Sequence, residues 1–449
     1  MATEYSVVGD ETGLVKLVDF SSKAVWTVGT QSRATAVEGM CWLVGGGAER
    51  RLTGFQFATL HKSSTLSTWR LDGAYVGAGK PPGSLSLQTS ELVTGVVDPV
   101  GVVAVQQTPD VSSGGDFKST LLCYGGGGRV SLISVSGSAS RGVSSAGLEV
   151  ISGFDVQGPV SNCVTCLGGG AAFGGRDNDV KLYDLNTEKV VWEAKNVPHD
   201  SLRMRVPIWI SKMAMMRPAI DSLGGGCHLL TGTGHKHVRL YDTHVKRQPV
   251  LSINIGEYRV TSISPRTGGG GGGGSGSGGE DYQVYVGDTS GGIHLWDIRA
   301  NKRIGTLKGC TGSVRDMSSS SSGKSLVCTG LDRYVRKFDT SSNKSTGAVY
   351  LKNRVNCCLL VDDGNSSGAS RGKKRSGARG GGGGGGDDDD DDDYSSSSAA
   401  GDSFDDDDDE DQDDRVQEED FSEDSGDEDE EEQAAGTAGP RGTKKHRTI

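Results

Sequence analysis

Cys163 and Cys166 bracket a Cys-Val-Thr-Cys run, the spacing with which a dithiol holds zinc or carries redox chemistry. On a strand, positions three apart face opposite sides of the sheet, so two thiols placed this way do not converge on one ion. The sequence has no second such pair, and these cysteines, like the adjacent Cys357 and Cys358, are expected to be buried structural residues. Residues 318–325 end in Gly-Lys-Ser, the close of a phosphate loop. The first position is Ser318 where that loop needs Gly, and the surroundings read as a turn between strands, so no nucleotide site is expected. His235 and His237 in one turn, and Asp177 and Asp179 in another, are accounted for by turn hydrogen bonds without a metal. No Ser/His/Asp order or close carboxylate pair stands out. The chain therefore reads as a non-enzyme with no cofactor. More informative is Arg203-Met-Arg205-Val-Pro207-Ile-Trp209, where bulky and basic residues sit just before an expected strand over Ile208–Met216. Either Trp209 packs between structural units under solvated arginines, or Arg and Trp at a loop rim form a binding hot spot.

What positions these residues is a repeat. Asp10, His61, Gly125, Gly175, Thr233, Asp288 and Gly330 each begin a segment with a turn near its start, a β-branched or apolar residue five places on, and an aromatic or apolar residue at the eighth. In five copies that eighth residue is followed by Asp, as in Val18-Asp19, Tyr183-Asp184, Tyr241-Asp242, Trp296-Asp297 and Phe338-Asp339; Arg70 and Ser134 stand there in the other two. Each copy reads as a tight turn and an alternating strand. Further apolar runs at 36–43, 160–167, 259–264 and 313–317 supply more strands. The starts lie roughly 40 to 60 residues apart, which predicts an all-β, seven-bladed WD-repeat β-propeller.

The first repeat opens at Tyr5 with what should be a second strand, while the last is followed by an extra apolar run, Val355–Val361. That run is expected to complete the first blade and close the ring, removing its open sheet edges. The propeller should occupy 1–361, with a flexible Gly-rich insertion at 268–279. Residues 362–449 are too charged and too poor in apolar side chains to fold alone and are expected to be a disordered tail. Its parts are a basic piece with Arg371, Lys373, Lys374 and Arg375, an acidic block, and a basic end with Lys444, Lys445 and Arg447.

The 449 residues carry a formal charge of −12, but the average conceals two unlike parts. Residues 387–432 hold 28 of the 59 carboxylates and one basic residue, Arg415, whereas 1–361 carries 37 basic and 29 acidic side chains, a net +8. So small an excess does not by itself predict RNA binding. The acidic block suits a solubilising tail or a mask for a basic partner surface, and Ser403 and Ser425 lie three places before acids, where phosphorylation would deepen its charge. No run approaches the ~18 apolar residues of a membrane span, and residues 1–13 lack the layout of a signal peptide. With nine irregularly spaced Cys, an intracellular protein with reduced thiols and no membrane partner is expected.

Several segments resemble the ribosome-biogenesis WD-repeat family of WD repeat-containing protein 74 and its fungal counterpart Nsa-one. They are Val8-Gly-Asp-Glu-Thr-Gly-Leu-Val-Lys16, Arg205-Val-Pro-Ile-Trp209, Gln248-Pro-Val with Gly256-Glu-Tyr258, Leu307-Lys-Gly309 with Gly312-Ser-Val-Arg315, Gly330-Leu-Asp-Arg333, and Val349-Tyr-Leu-Lys352 with Asn356-Cys357. The resemblance covers most of 5–361. It implies a nuclear and nucleolar, non-catalytic assembly factor of the large (60S) ribosomal subunit and pre-rRNA processing. Such a factor docks on the pre-60S particle and its assembly factors, is released with help from an AAA-type ATPase, and has a possible rRNA contact. By the same resemblance, the partner-binding positions are Arg205, Trp209, Glu257, Tyr258, Arg315, Arg333 and Lys352. A chromatin or histone-binding propeller, or a ubiquitin-ligase adaptor, is the alternative reading.

Overall fold

Every repeat folds as a four-stranded antiparallel sheet, and the computed structural model describes residues 5–43, 55–71, 85–93, 96–105, 116–138, 147–166, 169–199, 201–216, 227–266, 282–320 and 323–361. The Gly-rich insertion and the tail, with its basic and acidic segments, lie outside the described residues. The chain opens with β1 (Tyr5–Asp10), β2 (Val15–Asp19) and β3 (Val25–Val28). Blade 2 is β4 (Val37–Trp42), β5 (Phe55–His61), β6 (Thr65–Leu71) and β7 (Leu85–Leu92). Blade 3 is β8 (Pro99–Ala104), β9 (Asp116–Gly125), β10 (Arg129–Ser138) and β11 (Gly147–Asp155). Blade 4 is β12 (Asn162–Cys166), β13 (Gly170–Gly175), β14 (Asn178–Asp184) and β15 (Lys189–Glu193). Blade 5 is β16 (Ile210–Met216), β17 (His228–Thr233), β18 (His237–Asp242) and β19 (Leu251–Asn254). Blade 6 is β20 (Val260–Pro265), β21 (Gln283–Asp288), β22 (Ile293–Asp297) and β23 (Lys302–Leu307). Blade 7 is β24 (Val314–Ser319), β25 (Ser325–Gly330), β26 (Tyr334–Asp339) and β27 (Lys344–Tyr350). Last comes β28 (Val355–Val361), which pairs with β1, Tyr5 opposite Val361 and Val8 opposite Cys358.

Blade 1 therefore has the order β28-β1-β2-β3, its innermost strand supplied by the far end of the propeller sequence. The seven innermost strands β28, β4, β8, β12, β16, β20 and β24 pack in sequence around a ring that closes from β28 to β4. The expected closure is the one formed. The apolar runs around 36–43, 160–167, 259–264 and 313–317 are the innermost strands of blades 2, 4, 6 and 7.

The core is not central. Seven buried clusters each join two neighbouring blades: Leu230, Val238 and Leu240 of blade 5 meet Val284 and Val286 of blade 6, for example. The seam between blades 7 and 1 sets Val327 and Val335 against Val8, Val18 and Leu360. Because a propeller sheet has a neighbour on each face, alternate residues of one strand enter different clusters, Val7 toward blade 2 and Val8 toward blade 7. That is why β1 and β25 are buried along their whole length rather than alternately.

The recurring Asp closes a turn. Asp19, Asp184, Asp242, Asp297 and Asp339 each accept a backbone N–H two or three residues on, from Ser21, Asn186, His244, Ala300 and Ser341. Where Arg70 and Ser134 replace it, the connection to the outer strand runs from Leu71 to Leu85 and from Ser138 to Gly147. With Asp it is as short as Asp184 to Lys189. Cys163 and Cys166 lie on β12 and are buried, and Gly323 and Lys324 lie in the connection between β24 and β25 with Ser325 opening β25, in line with the expected turn between strands.

Candidate functional site

Antiparallel alternation puts two sets of connections at one end of the ring: those from each outer strand to the next innermost strand, and the turns between second and third strands. All seven candidate positions fall at that end. Arg205 and Trp209 lie between β15 and β16, Glu257 and Tyr258 between β19 and β20, and Lys352 between β27 and β28. Arg333 is in the turn from β25 to β26, and Arg315 is the second residue of β24. Five of them divide among three places on this face, while Arg205 lines a separate hollow with His199 and Gln248 and Glu257 is exposed.

The first centres on Trp209. Its carbonyl accepts the Gly234 N–H at 2.9 Å, and its strand bridge to Arg176 ties it to blade 4. The guanidinium carbons of Arg176 and Arg259 stand 5.4 and 5.0 Å from the ring centroid, and the His235 ring meets it edge-on at 5.9 Å. A Cβ at Gly234 would overlap the indole, so this glycine is what lets the ring lie against the turn. Trp209 is thus neither packed wholly between blades nor bare; it is half-buried in a cationic cradle. Tyr258, which precedes Arg259 in the chain, is exposed. The strand itself begins at Ile210 rather than Ile208, because Trp209 bridges to Arg176 instead of joining the β17 ladder. Arg176 and Arg259 were not among the sequence candidates, and His235 was read there as a turn residue alone. Arg176 follows a repeat start and Arg259 follows Tyr258, so proximity to named motifs was the available signal.

The second place is the channel mouth. In six innermost strands the ladder slips by one residue near this end, leaving Glu38, Val100, Ser211, Thr261, Arg315 and Asn356 as the extra residue of a bulge. A bulge re-aims its side chain, and all six line a central cavity of about 710 Å³. Asn356 donates to the Val37 carbonyl at 3.0 Å and Ser211 to that of Val260 at 2.7 Å, each reaching the next blade. Glu38 and Arg315 are the charged members. Burial pushes the Glu38 carboxyl up, opposed by the Lys62 and Arg315 cations. Deeper in, Lys212 pairs with Asp316 at 3.2 Å.

The third place is a cleft of about 490 Å³ at the closing seam, lined by Arg33, Arg333, Lys352 and Arg354. It is held from below by a buried network. Asp10 Oδ2 lies 2.8 Å from Lys16 Nζ and accepts from Asn353 Nδ2 at 3.0 Å, while Lys16 donates to the Leu351 carbonyl at 3.1 Å. Burial alone would raise the Asp10 carboxyl, but Lys16, Asn353, Leu14 and Thr12 together hold it below its ordinary value. Among the described residues no group of three His, Cys, Asp or Glu side chains converges as a metal site would require.

The closed ring of seven blades, with its Asp-capped turns, defines a WD-repeat β-propeller. No protein-family model matches the chain. It is 31% identical over 364 residues to WD repeat-containing protein 74 of Homo sapiens, covering 78% of this chain and 80% of that one. It is also 30% identical over 197 residues to Ribosome biogenesis protein NSA1 of Eremothecium gossypii, covering 42% of this chain and 45% of that protein. For Ribosome biogenesis protein NSA1 of Saccharomyces cerevisiae S288c the figures are 28% over 208 residues, 41% of this chain and 43% of the other. The chain belongs to the WD repeat-containing protein 74 family.

Proposed function

We propose that this propeller is a non-catalytic assembly factor in biogenesis of the large ribosomal subunit, docking other factors on the nucleolar pre-60S particle. The observation that carries the reading is the gathering of all seven candidate positions at one end of the ring, in a chain whose fungal relatives are named as ribosome biogenesis proteins. A rigid scaffold with the candidate arginines, Lys352 and two aromatics at one end suits a multivalent platform. The tail, with Arg371, Lys373, Lys374, Arg375, Lys444, Lys445 and Arg447, would raise the local concentration of a second contact. Release would fall to an AAA-type ATPase, and the protein would reside in the nucleus and nucleolus. Sucrose-gradient sedimentation tests this: the tagged chain should migrate with large-subunit precursors and leave them after RNase treatment. Sedimentation as free protein, or recovery with histones from RNA-free extract, would overturn it.

A further inference from the structure

The cleft at the closing seam carries more charge than ring closure requires. Four cations line it, Arg33, Arg333, Lys352 and Arg354, and among the described residues Glu11 is the one carboxylate that does so, 3.8 Å from Arg354. Arg333 and Lys352 both sit in the left-handed region, at φ of 67° and 66°, where glycine or asparagine is favoured. Their backbones are joined, since the Leu351 N–H donates to the Arg333 carbonyl at 2.9 Å, and the Asn353 side chain is held by Asp10. The conformation belongs to the repeat, since Gly13, Ser64, Gly128, Lys236 and Gly291 hold the same left-handed turn position as Arg333, and Gly256 and Gly309 that of Lys352. What sets this seam apart is that both positions carry a cation beside Arg33 and Arg354.

The chemistry of a ligand on that seam follows from what continues the cleft. Arg33 also lines the channel mouth, where Lys62 and Arg315 lie, so six cations against Glu11 and Glu38 form a track across the face rather than a pocket for one anion. At the other end the Arg333 guanidinium donates to the Tyr350 hydroxyl at 3.4 Å. The Tyr350 ring is 48% exposed and is supported by Tyr334 at 5.2 Å between centroids. Spaced cations beside an exposed aromatic ring are what a single-stranded polynucleotide uses, phosphates on the track and a base on the ring.

We infer that this face binds single-stranded RNA through the seam cleft, with Arg333 and Lys352 holding phosphates and Tyr350 stacking a base. The inference rests on the docking reading and gives it a partner chemistry. Fluorescence anisotropy of the full chain with a labelled oligouridylate of about a dozen nucleotides tests it. Arg333→Glu with Lys352→Glu should weaken binding at least about tenfold and lower the salt slope by about 1.4, at about 0.7 per phosphate contact. Tyr350→Ala should weaken it about tenfold with the slope unchanged. Arg333→Gly with Lys352→Gly controls for folding: glycine relieves both left-handed positions, so melting should not fall while RNA affinity does. RNA binding retained by the glycine or glutamate pair overturns the inference. So does a phosphoserine peptide that binds at these residues when the oligonucleotide does not. Particle sedimentation of the same variants separates the two readings. A variant that loses RNA but stays on the particle supports RNA binding and removes this face from docking; one that leaves the particle with RNA affinity intact keeps docking and overturns RNA binding.

Discussion

Lys212 Nζ lies 3.2 Å from Asp316 Oδ1, an ion pair that joins the innermost strands of blades 5 and 7 and skips blade 6. The other carboxylate oxygen accepts the Cys358 N–H of the closing strand at 3.1 Å. One carboxylate therefore links three blades across the channel. Asp316→Ala should cost about 1–3 kcal/mol, since it strands an ammonium and a backbone donor in a partly buried site. Asp316 pulls the Lys212 ammonium above its ordinary 10.5, with burial opposing. A raised value contributes stability that is complete below 10.5 and lost as pH rises through the folded value. Alkaline unfolding of the wild type should show this component, and Asp316→Asn should lack it.

Asp10 gives the opposite dependence. Its carboxyl is held below 3.8 in the folded ring, so its contribution is present above that value and lost as pH falls through the depressed one. Asp10→Ala leaves Lys16 buried without its anion, at a cost of about 3–5 kcal/mol. Denaturant melts at neutral pH should register that loss, and the difference between wild type and Asp10→Asn should shrink on acidification.

Removal of β28 should be worse than removal of any exposed connection. It uncovers the β1 edge, takes Val355, Cys358 and Leu360 out of the seam, and leaves β24 and β4 without their common neighbour. A chain ending before Val355 should lose its cooperative melt by circular dichroism. Retention of the wild-type transition would mean that the ring does not depend on closure.

Gly234→Ala should disturb the Trp209 cradle while sparing the fold. The new methyl meets the Trp209 ring, which must leave the space between Arg176 and Arg259. Tryptophan emission should shift toward that of a more solvated indole, and particle association should weaken. Unchanged emission would show that the turn yields instead.

The blade count, the third strand of each blade, the closing run and the fate of Cys163 and Cys166 were all legible from the chain, because they rest on local chemistry. Turn residues followed by period-2 alternation announce a strand wherever it packs. Asp at the end of that strand announces the turn it caps, and the copy with Arg70 in its place has the longest connection, Leu71 to Leu85. The candidate arginines could be named from motifs, but not what surrounds them. Arg176 and Arg259 are 83 residues apart in sequence and share one indole.

Tertiary structure alone decided three things. It set a bulge into innermost strands, which aims Arg315 and Glu38 at the channel mouth although alternation alone gives no sign of the slip. It brought Asp10 to Asn353 and Arg33 to Arg333, pairs separated by nearly the whole propeller, when the last strand entered the first sheet. It also turned seven equivalent connections into one face. Sequence patterns report what a residue does to its near neighbours along the chain, so they determined a ring of seven sheets. Closure is a long-range event, and only the closed ring juxtaposes the cations that make the seam a site.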